Sequence, residues 1–143
     1  MSIEAILDCK ARDLVAVRPT ATVKNAADQM LKHKTGALIV TRGDAVAGIV
    51  SEREIVHAIA RHGEPALALP VMNVVAVGIV SITPNDSVKT AMRLMMEHRV
   101  RLLPVMGDGK LIGVVSVSDV ITQRLVDLEM ESNVLRDAYI AAH

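Results

Sequence analysis

A chain of 143 residues in which 51% of side chains are hydrophobic has the material for one compact domain, or for two small halves sharing a core. Sixteen basic and sixteen acidic side chains cancel, and there is no Phe, no Trp and one Tyr (Tyr139). The body therefore has neither a global positive field nor a row of aromatic platforms, which makes nucleic acid an unlikely partner. A lone cysteine, Cys9, excludes an internal disulfide and a thiolate zinc cluster. The opening Met1-Ser2-Ile3-Glu4-Ala5 lacks a basic stretch followed by an apolar run, and nothing approaches the ~20 apolar residues that cross a bilayer. A cytoplasmic location and no membrane partner are expected.

Taken in chain order, the sequence reads as one unit written twice. Val15 begins a stretch that recurs without a gap from Val80. Pro19, Val23, Ala26, Met30, His33, Leu38, Val40, Gly48, Val50 and Ser51 return as Pro84, Val88, Ala91, Met95, His98, Leu103, Val105, Gly113, Val115 and Ser116. Repetition at a fixed offset marks a supersecondary unit that cannot bury its apolar face alone. Each copy opens on a short apolar strand, Leu14–Val17 or Ile79–Ile82, closed by proline. Thr22 or Ser87 then stands as N-cap to a helix whose stripe is Val23, Ala26, Ala27, Met30 and Leu31, or Val88, Ala91, Met92, Met95 and Met96. Two strands follow, Ala37–Thr41 and Ala45–Val50 around Arg42-Gly43-Asp44, and Leu102–Met106 and Lys110–Val115 around Gly107-Asp108-Gly109. A closing helix starts at Glu52 or Val117. The fold class is α/β (α+β), two β-α-β-β-α repeats related by a pseudo-twofold axis. Boundaries fall at 10–65 for the first repeat, 66–78 for a linker and 79–122 for the second.

The second closing helix runs on through 117–143. Ile121, Leu125, Leu128, Ser132, Leu135 and Tyr139 follow the four-three spacing of a short coiled-coil seam, flanked by Asp127, Glu129, Glu131 and Arg136. Such a helix either supports a dimer or folds back on its own domain.

Two motifs have the same shape: Gly48-Ile49-Val50-Ser51-Glu52-Arg53-Glu54 and Gly113-Val114-Val115-Ser116-Val117-Ser118-Asp119. A serine with a carboxylate three residues later at a helix start is first a capping box. Set after a hairpin in two gapless β-α-β-β-α copies, the pair resembles tandem CBS domains (the cystathionine β-synthase type, or Bateman module). The resemblance covers about residues 10–122, and the C-terminal extension looks like the stand-alone bacterial members.

The resemblance implies a non-catalytic regulatory module. It would bind an adenine nucleotide (AMP, ADP or ATP, with S-adenosylmethionine as a further candidate) in clefts between the repeats and require no cofactor. Asp119 would hold ribose hydroxyls as a charge-assisted acceptor, and Ser116 with the helix N-terminus would face phosphate. Val15, Val17 and Thr35-Gly36-Ala37 would wall that cleft, and Arg101 matches a phosphate-binding arginine of the family. A second cleft would use Ser51, Glu54, Val80 and Ser81. Here the chain departs from the family: Glu54 replaces aspartate, His57 stands where arginine is common, and Leu102 where histidine is. The Asp119 cleft is thus expected to be the better site and the Glu54 cleft weak or empty.

A homodimeric disc and an unidentified effector protein acting in trans complete the expectation. The rival is a dimeric scaffold with vestigial clefts. A nucleic-acid binder would have to rest on Lys32-His33-Lys34 and Arg99-Val100-Arg101 alone. His33, His98, His57, His62 and His143 have no metal-site spacing. No Ser-His-acid or Cys-His pairing suggests nucleophilic catalysis, so an enzyme is not expected.

Overall fold

The computed structural model describes residues 2–9, 15–76 and 78–142, the side chains of residues 8 and 9 excepted. The expected strand start at Leu14 and the repeat boundary at residue 10 lie outside them, as does His143. In chain order the elements are α1 (Ile3–Cys9), β1 (Ala16–Val17), α2 (Val23–His33), β2 (Ala37–Arg42), β3 (Ala45–Ser51) and α3 (Glu52–His62). Two 3-10 turns, Glu64–Ala68 and Val71–Asn73, lead to α4 (Val88–His98), β4 (Leu102–Gly107), β5 (Lys110–Ser116) and α5 (Val117–Ala142).

The sequence equivalences become structural ones. Helices α2 and α4 each bury three residues of their stripe, Val23, Ala26 and Met30, and Val88, Ala91 and Met95. Thr22 Oγ1 accepts the Asn25 amide at 3.1 Å while Asn25 Oδ1 accepts the Thr22 amide at 3.0 Å; Ser87 Oγ accepts the Thr90 amide at 3.0 Å. Both helices end on a residue in the left-handed region, Lys34 at φ 53 and Arg99 at φ 55. Neither is glycine, and a Cβ there costs of the order of 1 kcal/mol. The β4–β5 turn places Asp108 and Gly109 at φ 52 and 76, the twist that suits a two-residue hairpin.

Each hairpin is antiparallel, with a register shift at the same place, Val40/Thr41 and Val105/Met106. Successive side chains of β2 point to opposite faces. Leu38 and Val40 pack with α2 in the core of the first repeat, whereas Ala37 and Ile39 join Ile49 and Leu102 in a separate cluster shared by both repeats. Because both faces are covered, Ala37 to Val40 are all buried. A backbone bond from the Leu111 amide to the Asp44 carbonyl, 3.0 Å, crosses the same interface.

Segments flanking the repeats complete the cores. Residues 66–78, expected to link the repeats, include buried Ala66 and Val71; the Val71 amide bonds Ala21 O at 2.7 Å and the Val23 amide bonds Leu69 O at 2.9 Å. Helix α1 precedes the first repeat in sequence yet packs on the second. Ile3 and Ile6 sit with Ile82, Leu103 and Val115, and the Ile3 amide bonds Asp86 O at 2.9 Å.

One expected element is corrected. Residues 79–82 form no strand: Ile82 alone makes a parallel bridge to Val105, giving to Pro104 O at 3.0 Å and accepting from the Met106 amide at 2.8 Å. The next rung, toward Val80, needs an amide hydrogen at position 104, and proline has none. The first copy has Ile39 at that place and pairs it with Ala16. The sheets are therefore β1-β2-β3 and β4-β5. Helix α5 buries only Val120 among its described residues and extends beyond the body, and no helix of the described residues is long and apolar enough to cross a membrane.

Candidate functional site

Two clefts lie between the repeats, and their linings correspond residue by residue. The first, of about 380 Å³, is walled by Val15, by Lys34-Thr35-Gly36-Ala37 where α2 passes into β2, and by Ser116-Val117-Ser118 at the start of α5. The second, of about 990 Å³, is walled by Val80, by His98-Arg99-Val100-Arg101 where α4 passes into β4, and by Ser51-Glu52-Arg53-Glu54 at the start of α3. Both volumes fall in the range of small-molecule sites. The linkage between walls is also duplicated: the Glu52 amide bonds Gly36 O at 3.0 Å and the Val117 amide bonds Arg101 O at 3.0 Å. Each left-handed helix end thus delivers a basic side chain, Lys34 to the smaller cleft and Arg99 to the larger.

The two clefts differ in charge. The larger has Arg53, Arg99 and Arg101 with His57 and His98, against Glu52 and Glu54. The smaller has Lys34 and Arg101. Arg101 lines both, because it stands at their junction opposite Gly36. A Cβ on Gly36 would come within 3.4 Å of the Arg101 guanidinium and 3.2 Å of Glu52 Oε1. The space a side chain at 36 would take is thus held by Arg101 and Glu52.

Both motif serines are capping residues. Asp119 Oδ2 accepts the Ser116 amide at 2.9 Å, and Ser116 Oγ accepts the Asp119 amide at 3.2 Å. Glu54 Oε2 accepts the Ser51 amide at 2.8 Å and also the Ser51 hydroxyl. The longer glutamate side chain folds back onto its serine, so the hydroxyl in the larger cleft is bonded inward. With the cap in place, the amides of residues 116, 117 and 119 are already taken by Asp119, Arg101 and Ser116.

Of the residues singled out in the sequence, Ser116, Arg101, Val15, Thr35, Gly36 and Ala37 meet around the smaller cleft; Asp119, half-buried and bonded to Ser116, lies outside its lining. Ser51, Glu54 and Val80 meet in the larger. Val17 is not brought in: it is buried in the core of the first repeat and borders a separate hollow beside Arg18. Ser81 is exposed and lies outside the lining of the larger cleft. Lys34, Arg99, Glu52 and Arg53 were not picked out as cleft residues. The signal for the first two was their shared place just past a helix end. Among the described residues no three His, Cys, Asp or Glu side chains gather as for a metal.

Comparison with known proteins agrees with this duplicated architecture. The family model described as CBS domain matches twice, over residues 6–61 and 70–125. The crystal structure of the CBS-domain-containing protein ATU1752 from Agrobacterium tumefaciens is similar at 34% identity and a TM-score of 0.82, covering 87% of this chain and 99% of that one. The CBS domain protein PAE2072 from Pyrobaculum aerophilum, solved in complex with AMP, is 26% identical with a TM-score of 0.77 over 92% of this chain and 99% of its own. The CBS domain-containing protein YhcV of Bacillus subtilis is 28% identical over 123 residues, 86% of this chain and 87% of that protein.

Proposed function

The chain belongs to the CBS domain family, with two copies of the domain, and on that premise we propose that it is a non-catalytic sensor of adenine nucleotides. AMP, ADP or ATP would occupy the clefts between the repeats. The observation that carries this reading is Arg101, a guanidinium that lines two clefts of nucleotide size and packs close over Gly36, where the missing side chain lets it approach. Arginine presents a planar fork of donors to phosphate. The AMP held by the Pyrobaculum relative supports the ligand class. In the smaller cleft Asp119 would accept ribose hydroxyls. Asp119 is bonded to Ser116 outside the lining, so a sugar diol would reach it past the Ser116 hydroxyl. Base recognition would rest on backbone groups and on aliphatic side chains such as Val15 in the smaller cleft, with the His57 and His98 imidazoles available in the larger, since no Phe, Tyr or Trp is among the described lining residues.

A ligand seated on both repeats changes the module only if it prefers one arrangement of the halves. That preference would be the signal, read in trans by an effector protein from a cytoplasmic homodimer. Titration calorimetry with AMP, ADP, ATP and S-adenosylmethionine tests the reading. At least one adenine nucleotide should bind, and Asp119→Ala should weaken binding in the smaller cleft about tenfold or more, the scale of a lost charge-assisted hydrogen bond. Absence of heat with every compound overturns it. The apolar side chains exposed along α5, Leu125, Leu135 and Ile140 among them, favour a second reading, a dimeric scaffold with vestigial clefts. That reading predicts an assembly indifferent to nucleotides.

A further inference from the structure

Helix α5 keeps Gln123, Arg124 and Asp127 partly covered and is exposed throughout from Leu128 to Ala142, with large apolar side chains in solvent along it: Leu125 is 61% exposed and Leu135 72%. Such a surface on a single helix needs a partner. We propose that this segment winds around its counterpart in a second copy of the chain as a parallel, in-register two-stranded coiled coil. The proposal rests on the homodimer reading above and adds which surface makes the dimer and in which orientation.

The orientation follows from charge. With the seam at Ile121, Leu125, Leu128, Ser132, Leu135 and Tyr139, the flanking positions are Arg124 and Glu131 on one side and Glu129 and Arg136 on the other. In a parallel pair each side faces the opposite side of the partner, five residues further on. Arg124 then meets Glu129 of the partner subunit, and Glu131 meets Arg136 of the partner subunit, each twice by symmetry. In an antiparallel pair with the same apolar residues stacked, Glu131 meets Glu131 of the partner subunit and Glu129 meets Glu129 of the partner subunit. One orientation has four attractions and the other sets like charges together at its centre. None of the four side chains makes an ion pair within its own chain among the described residues. Asp119 lies in the first turn of the same helix, so a ligand in the smaller cleft and the seam would act on one rigid element.

Two measurements on the full-length protein test this. In a Cys9→Ser background, Tyr139→Cys should give a disulfide-linked dimer under mild oxidation. Antiparallel helices would hold those positions about 27 Å apart, at 1.5 Å per residue. Sedimentation equilibrium should show Glu131→Arg weakening the dimer on the order of tenfold, and Glu131→Arg with Arg136→Glu restoring it. A dimer that persists without the cross-link, with Glu131→Arg neutral, overturns the parallel coil and leaves the homodimer on another surface. A tetramer, which would also bury Val126, Met130 and Val134 on the far side of α5, overturns the two-stranded arrangement. A monomer throughout overturns both.

Discussion

The cleft at the start of α3 and the cleft at the start of α5 share a backbone plan, yet the first holds about 990 Å³ and the second about 380 Å³. The smaller has a serine whose capping aspartate stands outside the lining; the larger is lined by glutamate folded back onto its serine and by a richer set of arginines. The motif alone favours the smaller cleft, because its carboxylate has the length that matches the family pattern. Volume and charge favour the larger. A repeat fixes where a cleft forms and which backbone groups wall it, whereas side chains at equivalent places differ: Lys34 against Arg99 and Ser118 against Arg53 in the linings, and Asp119 against Glu54 at the caps.

The largest expected effect tests whether the repeats are equivalent as folding units. Leu38 and Leu103 hold corresponding places and are both wholly buried. Leu38→Ala and Leu103→Ala should each cost about 2–5 kcal/mol, the range for emptying a leucine site in a packed core. Because α1 packs on the second repeat and the two hairpins share an apolar cluster, both variants should lower a single unfolding transition by similar amounts. A calorimetric trace that splits into two transitions for either variant would break the equivalence.

Next in size are the cleft side chains. Arg101→Ala should weaken nucleotide binding at both clefts about tenfold or more, since it removes a charged donor from each. Arg99→Ala should act on the larger cleft alone, and Lys34→Ala on the smaller. Calorimetric stoichiometry separates these outcomes, and a variant of Arg101 that silences one cleft would show that its place at the junction is not shared use.

Much of this was legible in the residues. The two hairpins, both repeat helices, the N-caps at Thr22 and Ser87 and the starts of α3 and α5 follow from apolar spacing, Gly/Asp turns and capping chemistry, all of which act over a few residues. Less legible were features set by contacts between distant parts of the chain. Helix α1 gains its burial from Val115 and Ile82, far along the sequence, so its own seven residues give little signal. The turns at 64–68 and 71–73 are ordered by bonds to Ala21 and Val23. The sharing of Arg101 between clefts depends on how the repeats face each other. Val17 and Val15 share a face, as strand alternation requires, and both pack on the core of the first repeat; only Val15, nearer the strand's open end, also reaches the cleft.

The smallest effect bears on the clearest local difference between the copies. The bridge at Ile82 ends where Pro104 withholds an amide hydrogen, while the first repeat extends its pairing by one position. Pro104→Ile installs the residue of the first copy. A new hydrogen bond to the Val80 carbonyl contributes about 1 kcal/mol. Loss of the proline restraint on the unfolded chain takes back about 0.4–1 kcal/mol. The two nearly cancel, so the melting temperature should hardly move. The informative observable is hydrogen exchange: the amide at 104 should be protected along with its neighbour Leu103, and Val80, which walls the larger cleft, should be held more firmly. Were that amide to exchange as freely as a loop amide, the missing rung would trace instead to the turn at Gly78, whose φ of 82 directs the incoming chain away from β4.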